Sequence, residues 1–293
     1  MRVARSPQEL DAGERAVAIG TFDGVHRGHR RVIEVALEAG ATPAVVTFDP
    51  HPRVVLGYEV ELLATLERRL ELLDELGVEE TLVVEFTPEV AQREPEEFVD
   101  RVLRPIGARI VVAGEGFRFG RQRKGDLGLL EQLGVDVRAV PLLEDVSSSE
   151  IRRRLRDGNV EQAAALLGRP AEVEGTVVAG DARGGTLGFP TANLAVDPAL
   201  LVPAYGIYAG SAAGCRAAVS IGTNPHYGGE ERRVEAFLLD FEGDLYGQRL
   251  VVELWQRLRD ERAFANEEEL VEQIARDVEE TRAANRPESS LLP

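Results

Sequence analysis

The sequence predicts an α/β chain: a parallel-sheet domain over residues 1–170, followed by a second, antiparallel β domain over 171–293. Length and apolar content are the first grounds, since 293 residues with 44% hydrophobic side chains can fill two ordinary cores. The second is an alternation of short β-branched runs with helical patterns from residue 16 to about 140. Parallel strands need crossover helices, so this alternation implies a sheet covered on both faces. The third is a change near residue 170, after which strand-like pieces follow one another without intervening helices.

In order, the first half reads "AVAIGTF" as strand, "HRRVIEVALEAG" as helix, "PAVVTF" as strand, "LERRLELLDELG" as helix and "TLVVEF" as strand. It continues with the helical "PEEFVDRVLRPIG", the strand "ARIVVAG", the helical "LGLLEQLG" and the strand "VDVRAVPL". "SEIRRRLRDGNVEQAAALLGRP" is two short helices split at Gly158. The pieces "AEVEGTVVAG", "GIYAGSAA", "CRAAVSIG", "RVEAFLLDF" and "QRLVVELWQRL", turned by "AAG" and "EGD", then suggest an antiparallel sheet or small barrel. The final helix, near 267–282, sets Leu270, Ile274 and Val278 on one face for packing, with acids opposite.

Composition narrows the function. No run of about 18 apolar residues occurs, and the first twenty residues lack an apolar segment with a cleavage site, so a soluble, cytoplasmic protein without a membrane partner is expected. Cys215, the one cysteine, has no partner for a disulfide or a thiolate zinc site. A formal net charge of −17 repels polyphosphates at long range and argues against nucleic acid as a partner. Small molecules are the expected partners, and a monomer or weak homo-oligomer the expected state.

Phosphate chemistry then has to rely on local sites. "GTFDGVHRGHR", residues 20–30, follows the first parallel strand and opens a helix, where backbone N–H groups and the helix dipole favour an anion. Gly24 and Gly28 allow close backbone approach, while His26 and His29 project on the same side and can donate to phosphate oxygens. A solvated, capped helix start is the competing reading of this stretch alone. Three further segments fall at strand ends or helix starts: "TFDPHPR" (47–53), "GEGFRFGRQRKGD" (114–126) and "VSSSEIRRRL" (146–155). One cleft at the carboxyl edge of the sheet would gather them.

Taken together, G-T-F-D-G-V-H-x-G-H, T-F-x-P-H-P, G-x-x-F-x-F-G and S-S-S-x-I-R resemble the nucleotidylyltransferase module of the bacterial bifunctional riboflavin kinase/FAD synthetase family. The resemblance implies a Rossmann-like domain in which His26 and His29 hold ATP phosphates and Ser147, Ser148 and Arg152 contact the nucleotide or pyrophosphate. Phe117 and Phe119 are implied at the flavin, and FMN would attack the α-phosphate to yield FAD and pyrophosphate. Gly116 stands where the family carries an acid or amide, and Asn159 where it carries an aspartate. Those two positions motivate an alternative, a monofunctional riboflavin kinase with an impaired N-terminal nucleotide-binding domain.

"GDARGGTLGFPTANL", 180–194, joins a glycine-rich run to a proline turn, with Thr191 and Asn193 two apart. A glycine-rich backbone starting at Gly180 can wrap phosphates, and a hydroxyl beside an amide oxygen suits Mg2+. A plain glycine-rich turn fits the same residues. L-G-F-P-T-A-N is similar to the riboflavin kinase module of the same family, which implies an antiparallel barrel with Thr191 and Asn193 serving Mg-ATP. Glu235 lies in an apolar strand, where desolvation favours its neutral form, although alternation also allows it to be simply exposed. The match at V-E-x-x-L-L-D-F implies that Glu235 is the base for the ribityl 5′-hydroxyl. By the same resemblance Asn224 of "SIGTNP" lies near the nucleotide and "LRDERAF" is a flap around the flavin, where Arg259 can neutralise the product phosphate and Trp255 or Phe264 can stack on the isoalloxazine, although large aromatics are more often core.

Overall fold

A computed structural model describes residues 1–180, 189–223 and 232–288 of the chain. Two compact units divide it, one of residues 1–60 and 65–147, the other of residues 61–64 and 148–293.

The first unit is a six-stranded, wholly parallel sheet. Its strands are β1 (Arg2–Ala4), β2 (Arg15–Ile19), β3 (Thr42–Asp49), β4 (Glu80–Glu85), β5 (Ala108–Gly114) and β6 (Asp136–Val140), in the order β1-β4-β3-β2-β5-β6. β1 has too few residues for any periodicity, and only its pairing with β4 reveals it. Every residue of β2 is buried, so alternation sends Ala16 and Ala18 to one face and Val17 and Ile19 to the other. On the first face pack Val32, Ile33 and Ala36 of α1 (Arg27–Leu37) and Leu72 and Leu73 of α3 (Leu66–Glu75). The second face carries Phe98, Val99 and Val102 from α5 (Pro95–Phe98) and the π-helical turn Val99–Leu103, with Leu130 from α6 (Leu127–Gln132). β3 and β4 extend the sheet on one side of β2 and β5 on the other, so the topological switch lies beside β2. Ligands of open α/β sheets bind at that crevice.

The second unit is a closed antiparallel barrel of order β10-β11-β8-β7-β12-β9. Its strands are β7 (Ala171–Val178), β8 (Ala192–Ala195), β9 (Gly206–Ala212), β10 (Cys215–Thr223), β11 (Arg232–Leu238) and β12 (Arg249–Arg259). The β9–β10 turn is the expected "AAG", where Ala213 and Gly214 both take positive φ, as a tight hairpin of this hand requires. β8 is a strand where the sequence predicts part of a turn, because four residues between a proline and an aspartate give no strand signal. Val177, Leu194, Val219, Ile221, Val234 and Ala236 fill the interior. α7 (Ser148–Arg156) and α8 (Val160–Leu167), separated at Gly158 with φ +76°, add Ile151, Leu155 and Val160 to that core.

The helix Glu267–Ala283 packs on β9 and β10, but its sequence-predicted polarity needs correction. Asp277 and Gln273 are buried along with Val278 and Thr281, whereas Leu270 and Ile274 are only half-buried. An arginine on the facing strand makes the buried acid tolerable, as the site geometry shows.

Candidate active sites

At the carboxyl end of β2 the chain turns through Phe22, Gly24 and Val25 with φ of +50°, +79° and +39°. Gly24 adopts this region freely, whereas a β-branched valine does so only where its surroundings impose it. His26 then caps α1, its Nδ1 accepting the backbone N–H of His29 at 3.3 Å. Accepting there places the proton of a neutral ring on Nε2. The two imidazoles stack with centroids 3.5 Å apart and planes 17° from parallel, and Phe22 meets His29 edge-on at 5.3 Å. A Cβ on Gly28 would lie 3.2 Å from Cε1 of His26, so this glycine makes room for the capping ring rather than for a ligand alone.

His26 is buried at 6% exposure, and His29 is half-buried. Nδ1 of His29 is enclosed without a hydrogen-bond partner, which leaves Nε2 as the nitrogen that can meet an anion. Burial, with the nearby His26 and Arg69, holds the His29 pKa well below its ordinary 6.5. The ring is therefore a neutral hydrogen-bond donor at neutral pH, not a fixed cation.

Two neighbouring groups went unread in the sequence. Arg69 of α3 is buried, its Nη1 donating to Thr21 O at 2.7 Å and its Nη2 to Phe48 O at 3.2 Å. Asp23, 2% exposed, sits in its field. In "LERRLELL" nothing distinguishes Arg69 from Arg68, which pairs with Glu71 and Glu75 along the helix surface.

On the far side of β2, the loop after β5 brings Phe117 and Phe119 into a stack at 5.6 Å. Phe119 is buried against Phe98 and pairs by backbone with Gly125, so its ring belongs to the core, while half-buried Phe117 keeps exposed surface. Gly116 is exposed, and a Cβ there would make only an ordinary contact, 3.9 Å from Leu142 Cδ1. Of the serines, Ser147 is exposed in the first unit; Ser148 and Arg152 belong to the second, where Arg152 is buried and donates from Nε to Glu61 O at 2.6 Å.

The barrel gathers a second cluster. Glu235 of β11 lies opposite Asn193 of β8, which lies opposite Val178 of β7. The interior residues Val234, Leu194 and Val177 alternate with these, so Glu235 and Asn193 stand on the outer wall of the barrel, not in its lumen. Thr191 donates from Oγ1 to Glu235 Oε2 at 3.5 Å, and Asn193 donates from Nδ2 to the Thr191 carbonyl at 3.4 Å. Gly180 completes the group, since a Cβ there would fall 2.2 Å from Asn193 Nδ2. Glu235 is half-buried with Arg233 at 3.9 Å, so it is reachable, in line with the strand alternation. Thr191, Asn193 and Glu235 supply hydroxyl, amide and carboxylate oxygens, the donor chemistry a small hard cation uses. Among the described residues no group of three or more His, Cys, Asp or Glu side chains forms an all-protein metal cage.

Arg259 has partners within the protein. Its Nε and Nη2 bind Asp277 at 2.9 and 2.6 Å, and its Nη1 donates to Asp260 O, so its charge is already met within the protein. Phe264 lies under Arg262, with 4.9 Å from guanidinium carbon to ring centre, and remains half-buried. Trp255 is buried at 6% exposure beneath Arg216, its Nε1–H bound to Glu253, so it is a core ring and not a flavin platform. Asn224 and residues 181–188 of the glycine-rich run lie outside the described residues.

Such a fold defines a class: a parallel α/β unit with a nucleotide-type strand-end loop, joined in one chain to a closed antiparallel barrel. Residues 8–152 match the FAD synthetase family and residues 167–285 the riboflavin kinase family. Curated bifunctional riboflavin kinase/FMN adenylyltransferases are similar along almost the whole chain. The Bacillus subtilis protein is 37% identical over 94% of each chain and the Listeria monocytogenes protein 36% over 92% of each. That of Escherichia coli K12 is 34% identical over 94% of this chain and 93% of its own. The chain belongs to the bifunctional riboflavin kinase/FMN adenylyltransferase family. A Streptococcus pneumoniae crystal structure described as a macrolide-efflux protein superposes with a TM-score of 0.85, at 33% identity over 96% of this chain and 98% of that one. No helix among the described residues here is long and apolar enough to cross a membrane.

Proposed function

We infer that the chain makes flavin cofactors in two steps, converting riboflavin and ATP to FMN and ADP, then FMN and ATP to FAD and pyrophosphate. Both family domains lie in one chain, which favours this reading over a kinase alone. For the kinase the observation that carries it is the convergence of Thr191, Asn193, Glu235 and Gly180 on one patch of barrel wall. Glu235 takes the proton of the ribityl 5′-hydroxyl as it attacks the γ-phosphate; a primary alcohol is too weak a nucleophile without such a base. Thr191 and Asn193 would hold Mg2+, which when bound would offset the charge of the ATP phosphates. Gly180 and Asn224 are assigned to the phosphates by the resemblance, and Phe264 is the ring assigned to the flavin. Arg259 is assigned to the flavin side as well, and its pair with Asp277 holds residues 259–264 against the C-terminal helix.

Residues 1–170 form the adenylyltransferase domain and 171–293 the kinase domain in this reading. Nε2 of His29 donates to the ATP phosphates while His26 caps α1 and buttresses it, so charge on the transferring phosphate meets preorganised donors. Ser147, Ser148 and Arg152 are assigned to the nucleotide on the strength of the S-S-S-x-I-R resemblance, and Phe117 to the flavin, with Phe119 behind it. Work in the cytoplasm as a monomer or weak homo-oligomer, without nucleic acid, fits the charge and composition. Incubating the protein with riboflavin, ATP and Mg2+ and separating the flavins by chromatography tests the whole reading. FAD is the expected product; FMN alone would remove the second step, and unchanged riboflavin would remove both.

A further inference from the structure

We propose that Arg69 is a positioning residue of the adenylyltransferase site, holding the 20–29 loop in the shape that stacks His26 on His29. The inference rests on the adenylyltransferase reading above. Arg69 is 5% exposed, and a buried guanidinium is costly unless its donors and charge are met. Its charge and its two Nη groups are met by the two strand ends that frame the histidines, Thr21 O after β2 and Phe48 O at the end of β3, with Asp49 Oδ1 at 3.7 Å, while Nε is enclosed without a hydrogen-bond partner. The Thr21 carbonyl also accepts the Thr47 hydroxyl at 3.1 Å, so two donors from separate elements pin a single peptide. Immediately beyond it come the left-handed residues Phe22 and Val25, a backbone that persists only where its flanks are over-determined. Held this way, the chain delivers His26 to the α1 cap and His29 to the stack.

Arg69 also acts by charge. The groups whose fields reach His29 are His26 and Arg69, and those whose fields reach Arg69 are Asp23, Asp49 and Arg5. Burial is the main influence on His29, and the Arg69 cation adds to it in keeping the ring neutral. Removing that cation makes His29 easier to protonate.

The test uses the full chain as wild type, Arg69→Met, Arg69→Lys and Thr47→Val, following FAD formation from FMN and, separately, FMN formation from riboflavin. In Arg69→Met, kcat/KM for ATP in FAD formation should fall roughly 100-fold, the scale of a misplaced catalytic group, with FMN formation unchanged. Arg69→Lys keeps the charge but not the fork that spans two carbonyls, so it should recover part of the loss. Thr47→Val, losing one bond to the same carbonyl, should show a smaller loss. The acid limb of the pH profile for FAD formation should move to higher pH in Arg69→Met and stay in place in Arg69→Lys. Wild-type FAD kinetics in Arg69→Met overturn the proposal, as does a loss with neither lysine recovery nor a moved limb, which is what simple destabilisation produces. If Arg69→Met does not fold, wild-type FAD kinetics in both Arg69→Lys and Thr47→Val overturn it. A wild-type protein that forms FMN but never FAD would instead overturn the adenylyltransferase reading.

Discussion

His29 couples the adenylyltransferase loop to pH through its own burial. Its folded-state pKa lies well below the ordinary 6.5, so between those two values the unfolded chain binds a proton that the folded chain does not. The stabilisation this carries is complete above pH 6.5 and is lost as pH falls from there toward the folded value. Urea midpoints followed by circular dichroism should therefore drop between pH 7.5 and 5.5, by less in His29→Gln than in wild type. A drop of equal size in the variant would show that other groups carry the acid sensitivity. At this scale the sequence was legible where chemistry clusters locally, as in H-x-G-H and P-T-A-N. Arg69 was illegible because its partners, Thr21 and Phe48, lie 48 and 21 residues away.

Among the elements, the C-terminal helix shows how a tertiary partner overrides polarity. Asp277 on an acid-rich helix reads as solvated, yet it is 4% exposed and bound to both Nε and Nη2 of Arg259. Gln273 donates to Asp277 Oδ1 at 2.8 Å and accepts from Arg262 at 2.5 Å, so two helix residues clamp the segment that carries Phe264. Breaking a buried ion pair leaves the surviving charge uncompensated. Asp277→Ala should cost about 3 kcal/mol, read from the denaturation midpoint of the fluorescence of Trp255, the single tryptophan. The kinase KM for riboflavin should rise with it as residues 259–264 loosen. An unchanged midpoint and KM would mean that the helix is held by its apolar contacts alone. Periodicity found this helix, but only the facing arginine decides which of its polar residues turn inward.

Over the whole molecule, the proposed catalytic groups lie in different units, the histidine pair on the parallel sheet and Glu235 on the barrel. His29→Ala should abolish FAD formation and spare FMN formation. Glu235→Ala should do the reverse, stopping FMN formation while FAD is still made from added FMN. Loss of both activities in either folded variant would contradict the division of labour. Alternating strand and helix signals determined the parallel unit, the run of strands after residue 170 determined the β unit, and the local motifs determined both activities. Those are short-range properties, carried by residues within a few positions of one another. Tertiary structure alone decided that the barrel closes, that Glu235 and Asn193 face its outer wall, that Arg259 pairs with Asp277, that Trp255 is buried, and that Arg69 bonds the carbonyls of Thr21 and Phe48. Each of these depends on pairing between residues far apart in the chain, where burial and hydrogen-bond geometry, not residue type, select the partner.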